Sequence, residues 1–371
     1  MGGRVEQGTG VAAAVRGCRV VTTSMTARLL LAEQLRALDD VSWSVVSGDA
    51  FDDAPRGLSV EVVPIRREFA PSDVLSFVRL LRYFRRQRFD FVQTHTPKAS
   101  FLGLWAARLA GTTAIYTVHG ALYFRDNGWR ANVLGWLFER WCCGWANLVL
   151  VQSREDEGVL PRARVCRAAK IRYIGNGVVL ERFTEPVEPW RRSSRPVVVM
   201  VSRLVKEKGC VDYLELARAL AGRAEFVHVG PVEPDQRDGL SAREMAAASG
   251  SVSFVGAVDD IRPYLAAADL VVLPSYREGI PRVAMEAAAA GCAVVAYDVR
   301  GMREVIDPAS GLLVPRGDRA ALVSVVASLL DDPGRRARLA EQCRARVLAQ
   351  FSEDAVIERL RGVYRELGAA A

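Results

Sequence analysis

No apolar run in this chain approaches the roughly 20 residues that a bilayer crossing requires, so nothing in it reads as a membrane span. It has no C-x-x-C pair, which removes the common zinc and redox frameworks. The seven cysteines are odd in number and sit mostly in apolar runs, the pattern of buried thiols in a reducing compartment. Residues 1–17 are rich in Gly and Ala and lack the leucine-rich core of a secretory signal, so they read as a disordered extension. No Asp-x-Asp follows a strand-like run, which leaves a carboxylate-held divalent cation without an evident place. No recognised nucleic-acid motif occurs either, and there is no short-period repeat.

What remains is a globular composition, half hydrophobic and a quarter charged, in 371 residues, enough for two ordinary domains. The net charge of +7 is lopsided. Residues 1–180 carry 24 Lys/Arg against 16 Asp/Glu, and the rest is near neutral. The first half therefore faces something anionic, and with no nucleic-acid motif, anionic lipid or a phosphorylated acceptor fits best.

Short β-branched runs alternate with helical patterns, the signature of βαβ units and parallel sheets. Strands are expected at Arg19–Thr23, Ser44–Ser47, Val60–Ile65, Asp90–Thr94, Thr113–Val118, Leu148–Gln152 and Ile171–Gly177. Residues 185–196, with three prolines, read as a linker, after which the alternation restarts at Val197. The domains are thus 18–185, a linker at 186–195, 196–350, and a C-terminal helix at 351–371 returning to the first domain. Two of only three histidines, His95 and His119, fall at C-terminal ends of expected strands, the edge where open α/β sheets bind ligands. Lys98 stands at the start of the following helix, where an anion is already favoured. The helix at 74–88 ends in Arg79, Arg82, Arg85, Arg86 and Arg88, either a solvated basic face or a contact for a membrane surface.

The densest signal is Pro274–Gly291, PSYREGIPRVAMEAAAAG. A buried strand at 270–273 leads into a loop, Pro281 suits the first helical position, and Gly291 ends the helix. The helix interior is apolar except at Glu286, and a buried carboxylate needs partners. Either it pairs with a basic side chain, or strand end, loop and helix start form a ligand site. The string P-S-x-x-E-G-x-P-x-x-x-x-E-A-x-A-x-G closely resembles an element of retaining glycosyltransferases of family 4. Ser202–Gly209, S-R-L-x-x-x-K-G, resembles the phosphate element of the same family, and Phe254–Asp260 its base-recognition loop. H-T-P-K-A-S, T-V-H-G and D-V-R-G-M-R-E resemble the subset that adds N-acetylhexosamines to polyprenyl-diphosphate-linked acceptors or antibiotic precursors.

The resemblance implies a GT-B fold, two Rossmann-like domains with parallel sheets facing across a cleft. It implies that Glu278 and His119 contact the donor sugar and that Arg203 and Lys208 clamp the diphosphate. Glu286 would hold the ribose, the backbone of Gly279, Ile280 and Pro281 would meet sugar and diphosphate, and Val258 would meet the base. His95, Lys98, Ser24 and Thr26 are the acceptor-side candidates. The loop after the first strand departs from the family: Thr22-Thr23-Ser24-Met25-Thr26 has no glycine pair, so side chains occupy that space.

The function implied is metal-independent transfer with retention from a nucleotide sugar, UDP favoured, with no cofactor, onto a small soluble or a lipid-linked hydroxyl acceptor. A cytoplasmic location follows, with peripheral contact at the inner membrane face left open. The aromatics of Trp129–Trp145 read mainly as core and no hydrophobic anchor is evident, which tilts the acceptor toward a soluble molecule. The alternatives are an epimerase of the same architecture and a non-catalytic sugar-nucleotide binder.

Overall fold

The computed structural model describes residues 15–51, 54–55, 57–66, 68–123, 128–232, 238–307 and 310–369. The chain divides into two units. The first comprises 1–151, 157–174 and 357–371, and the second 152–156 and 175–356.

The first unit holds a seven-stranded parallel sheet in the order β3-β2-β1-β4-β5-β6-β7. These strands are β1 Val15–Val20, β2 Val41–Ser47, β3 Ser59–Val62, β4 Phe91–Thr94, β5 Thr113–Val118, β6 Leu148–Val151 and β7 Ile171–Tyr173. The central strands β4, β5 and β6 are buried along nearly their whole length, as expected of parallel strands covered on both faces. Val15–Gly17, expected within a disordered extension, belong instead to β1. They pair in register with Val41–Trp43, so the neighbouring strand recruits them into the sheet. Residues 1–14 of the expected extension lie outside the described residues. The segment after β1 is helical from Ser24 to Ala37, with a wider π-type stretch at Ala27–Leu31. The sequence gives little sign of the helix at Arg154–Arg162: its Gly158 and Pro161 resemble loop punctuation, yet Pro161 falls in the last turn.

The second unit holds six parallel strands in the order β10-β9-β8-β11-β12-β13. They are β8 Val197–Val201, β9 Glu225–Val229, β10 Val252–Gly256, β11 Leu270–Leu273, β12 Ala293–Tyr297 and β13 Leu312–Val314. Residues 186–195 cluster with this unit, where the Trp190 amide donates to the Pro263 carbonyl at 2.8 Å and its ring lies 5.2 Å from Tyr264.

In each sheet the strand order reverses at one point, between β1 and β4 in the first and between β8 and β11 in the second. Beyond the carboxyl ends of such a pair, loops diverge and leave a crevice. Residues 22–26, 95–98, 202–209 and 274–281 all follow one of those four strands.

Candidate active site

In the second unit, two loops separated by 70 residues in sequence meet at the switch point. Lys208, in a short turn after β8, donates from Nζ to both oxygens of Glu278, at 2.7 and 2.8 Å. The two side chains are 23% and 13% exposed, so the pair is half-sheltered and still reachable. The backbone reinforces it: the Tyr276 amide donates to the Glu207 carbonyl at 2.9 Å. Gly209 adopts a φ of +73°, and a Cβ there would lie 1.8 Å from the Pro274 carbonyl oxygen. Arg203 stands half-buried at the start of the same loop.

The loop carrying Glu278 is held from three further directions. Asn176 Nδ2 donates to the Ile280 carbonyl at 3.2 Å. Gly301, at φ +77°, lies so close beneath that a Cβ would be 1.2 Å from the Gly279 carbonyl oxygen. Asp212, buried in the helix after Lys208, accepts from the hydroxyls of Tyr276 and Tyr297, each at 2.7 Å, and from Arg319 Nε at 2.8 Å. Burial and the Asp212 charge raise the Tyr276 and Tyr297 hydroxyl pKa values, so both stay protonated donors. Sequence reasoning missed Asn176, Asp212, Tyr276 and Tyr297, because nothing in a linear string marks which side chains a loop will rest on.

The helix that follows runs Arg282–Ala289, with Pro281 as its N-cap, one place earlier than the first helical position expected. Gly291 takes the left-handed conformation that ends it, at φ +84°. Glu286 is flanked by buried Met285 and Ala287 and is 14% exposed. Burial raises its pKa, and Arg282 and Arg182 oppose that rise. Arg282 Nε lies 3.8 Å from Glu286, a loose contact, and the same guanidinium is shared with buried Glu353 at 3.6 Å. The basic partner exists, then, but leaves the carboxylate with unused acceptor capacity. Val258 is half-buried beside exposed Asp259. Asp260 is closed upon by Arg262, with Nη2 at 2.7 Å.

The D-V-R-G-M-R-E segment braces this loop. Besides Gly301, Glu304 accepts from the backbone amides of Arg154 and Glu155 at 3.0 and 2.9 Å, capping a helix start. Arg300 forms a buried pair with Asp156 at 3.2 Å.

In the first unit, His95 and His119 come together, His95 Nδ1 lying 3.2 Å from His119 Nε2. His95 is buried and His119 half-buried. Lys98 was expected to offer its charge to an anion at the helix start. Instead it is buried, with Nζ 2.8 Å from Asp73 and bonded to the Glu68 carbonyl, and its charge is spent inside the unit. Ser24 and Thr26 begin a helix, the Ser24 amide donating to Asp49 at 2.5 Å and the Thr26 hydroxyl meeting that of Thr23 at 3.0 Å. Thr22 and Thr96 join the loops after β1 and β4 through their hydroxyls. In place of a glycine pair, this loop has a threonine clasp.

The helix Trp129–Trp145 is only partly core. Trp141 and Trp145 contact Trp105, and Phe138 stacks on Phe101. Trp129, Val133, Leu134 and Leu137 are exposed, the first by 71%. Phe69, Val74 and Leu75 are exposed as well, and Phe69 packs edge-on against Phe101. Arg79, Arg82, Arg85, Arg86 and Arg88 lie along and just beyond the helix Asp73–Gln87, on its solvent side. Among the described residues no helix is long and apolar enough to cross a membrane.

Two family models match the chain: one described as Glycosyl transferases group 1 over residues 195–332, and one as Glycosyltransferase Family 4 over residues 29–182. The chain is 27% identical to an N,N'-diacetylbacillosaminyl-diphospho-undecaprenol alpha-1,3-N-acetylgalactosaminyltransferase of Campylobacter jejuni, covering 91% of this chain and 94% of that one. It is 28% identical to an alpha-D-kanosaminyltransferase of Streptomyces kanamyceticus, over 81% and 83% of the two chains. Its fold matches the crystal structure of Anabaena HepE in complex with UDP and glucose, with a TM-score of 0.79 at 20% identity over 95% of this chain and 100% of that one.

Proposed function

This chain belongs to glycosyltransferase family 4, and on that premise we propose that it transfers an N-acetylhexosamine, with retention, from a UDP-sugar to a hydroxyl of a polyprenyl-diphosphate-linked acceptor. The observation that carries the reading is the Lys208–Glu278 pair at the switch point of the second sheet. It sets a cation for the diphosphate against a carboxylate for the sugar, the two charges a sugar nucleotide needs side by side. Arg203 adds the second cation. As the glycosidic bond breaks, negative charge grows on the leaving diphosphate, and fixed cations offset it. That removes the need for a metal ion or any other cofactor. The new bond forms on the face the diphosphate leaves, and the acceptor hydroxyl gives its proton to a departing phosphate oxygen. Glu286 accepts from the ribose hydroxyls, the Gly279–Pro281 backbone lies along sugar and diphosphate, and the Val258 backbone meets the base. The Asp260 carboxylate is occupied by Arg262, which disfavours its use on a guanine edge and supports uracil.

On the acceptor side, His119 contacts the donor sugar near the reacting carbon, with Ser24 and Thr26 nearer the incoming hydroxyl. The exposed apolar residues of Trp129–Leu137 and Phe69–Leu75, together with the arginines, favour a lipid-linked acceptor over a soluble one. A basic and apolar surface of this kind suits peripheral contact with an anionic bilayer at the cytoplasmic face.

The test is a mass-spectrometric screen of sugar nucleotides with the purified chain, given water, a polyprenyl-diphosphate sugar in anionic vesicles, or a soluble aminocyclitol. The expected result is consumption of UDP-N-acetylhexosamine with the lipid-linked acceptor, and salt-sensitive pelleting with the vesicles, since attraction to them fades as the Debye length falls below about 10 Å above 0.1 M salt. Consumption of a GDP-sugar would overturn the donor assignment, and transfer to the aminocyclitol alone would overturn the acceptor assignment.

A further inference from the structure

His95 is 4% exposed and follows β4, and His119 follows β5. Their ring nitrogens, His95 Nδ1 and His119 Nε2, are 3.2 Å apart. His95 Nε2 is buried and has no hydrogen-bond partner among the described residues. Among the described residues, the charged and titratable groups bearing on His95 are Arg19 of β1 and His119 itself. Arg19 is wholly buried, with Gln34 Oε1 at 3.0 Å, the Tyr364 hydroxyl at 3.3 Å and the Trp43 ring face at 4.5 Å.

Two neutral rings at this separation share one hydrogen, and it can belong to either. If it belongs to His119 Nε2, then His95 must carry its own hydrogen on Nε2, a buried N–H with nothing to receive it. If it belongs to His95 Nδ1, then the partnerless Nε2 is a bare lone pair. Orphaned buried N–H groups are the rarer defect. A doubly protonated His95 is disfavoured both by burial, which pushes its pKa well down, and by the Arg19 cation. We propose that His95 is a positioning residue: its Nδ1–H donates to His119 Nε2, which leaves His119 neutral with its single hydrogen on Nδ1. His119 is thereby a directional Nδ1–H donor, and neither a cation nor a base at Nε2. Protonating His119 would set N–H against N–H, unless His95 moved its hydrogen to the partnerless position. This deepens the reading that His119 meets the donor sugar and rests on it only for its consequence in catalysis.

The chain has only three histidines, His95, His119 and His228, so long-range proton–nitrogen spectra of the ring-labelled full-length protein resolve each one. The expected spectrum shows His119 as the Nδ1–H tautomer from about pH 5 to 8, without titrating near the ordinary value of about 6.5. His95→Asn keeps a donor near the Nδ1 position and should preserve that spectrum. His95→Leu should give a mixture of His119 tautomers titrating near about 6.5, and kcat should then fall about tenfold below that pH. A wild-type His119 bearing its hydrogen on Nε2 would overturn the proposal, as would an unchanged His119 spectrum in His95→Leu. If the spectra behave as expected but His119→Ala leaves transfer unchanged, the sugar-contact reading fails and the tautomer assignment stands.

Discussion

Removing Glu278 should make the protein bind UDP more tightly while it transfers sugar more slowly. Lys208 gives its charge to both oxygens of Glu278 at 2.7 and 2.8 Å. A diphosphate must share or displace that partner. Unit charges about 4 Å apart attract by roughly 4 kcal/mol at an effective dielectric of about 20. Solvation and side-chain entropy take back much of this for side chains 23% and 13% exposed. A net of about 1.5 kcal/mol, the low end for a charged hydrogen bond, is the part a diphosphate has to overcome. Glu278→Ala and Glu278→Gln should therefore both tighten UDP by about tenfold in calorimetric titration. Both should lower kcat by about a hundredfold if, as proposed, the carboxylate meets the sugar at the reacting centre, since a charged hydrogen bond there is worth roughly 3 kcal/mol. The glutamine variant keeps the volume, so agreement between the two excludes a packing effect. UDP affinity unchanged or weakened in both, with melting temperature intact, would refute the competition between Glu278 and the diphosphate for Lys208.

Glu286→Gln should weaken UDP binding ten- to a hundredfold, since a charged acceptor is worth about 1.5–3 kcal/mol. Burial raises the Glu286 pKa, so wild-type UDP affinity should fall on acidification starting above the usual carboxylate range, a slope the glutamine variant should lack. In the free protein the sign reverses. A carboxyl whose folded pKa is raised adds stability that is fully present below its unfolded value of about 4.3 and is lost as pH rises through the folded one, which pH-dependent melting of wild type and variant will read. Gly301→Ala puts a Cβ 1.2 Å from the Gly279 carbonyl oxygen at a φ of +77°. It should displace the Glu278 loop, weakening donor affinity by at least tenfold and lowering the melting temperature, whereas wild-type affinity would mean that the loop does not rest on Gly301. Arg203→Ala and Lys208→Ala should each lower kcat more than they raise the donor KM, because their benefit grows with charge on the leaving group. Steady-state kinetics showing the reverse split would make them ground-state contacts.

How much of this was legible depended on whether a feature is local. The strands of the second unit could be read because a parallel strand covered on both faces is a continuous apolar run, as in Val197–Val201 and Leu270–Leu273. The Pro274–Gly291 string could be read because strand, loop and helix start are contiguous. Val15–Gly17 could not, because their place in β1 is set by β2, about 26 residues on. The Lys98 environment was equally hidden, since Asp73 stands 25 residues before it and only packing makes them neighbours.

The same distinction separates the donor-side candidates from the acceptor-side ones. The donor-side candidates stand at fixed offsets within two short loops, and Gly209 and Gly301 lie where no Cβ would fit, against the Pro274 and Gly279 carbonyls. Acceptor contacts come from side chains whose exposure is decided by what packs behind them. The helix Trp129–Trp145 is apolar nearly all round, and such a helix reads as buried. Its Trp141 and Trp145 side is indeed packed against Trp105. The opposite side, from Trp129 to Leu137, has nothing laid over it among the described residues of the first unit and stays exposed. A helix that is apolar on both sides but covered on one spends hydrophobic residues where folding does not ask for them. Binding something apolar is the use that would account for them.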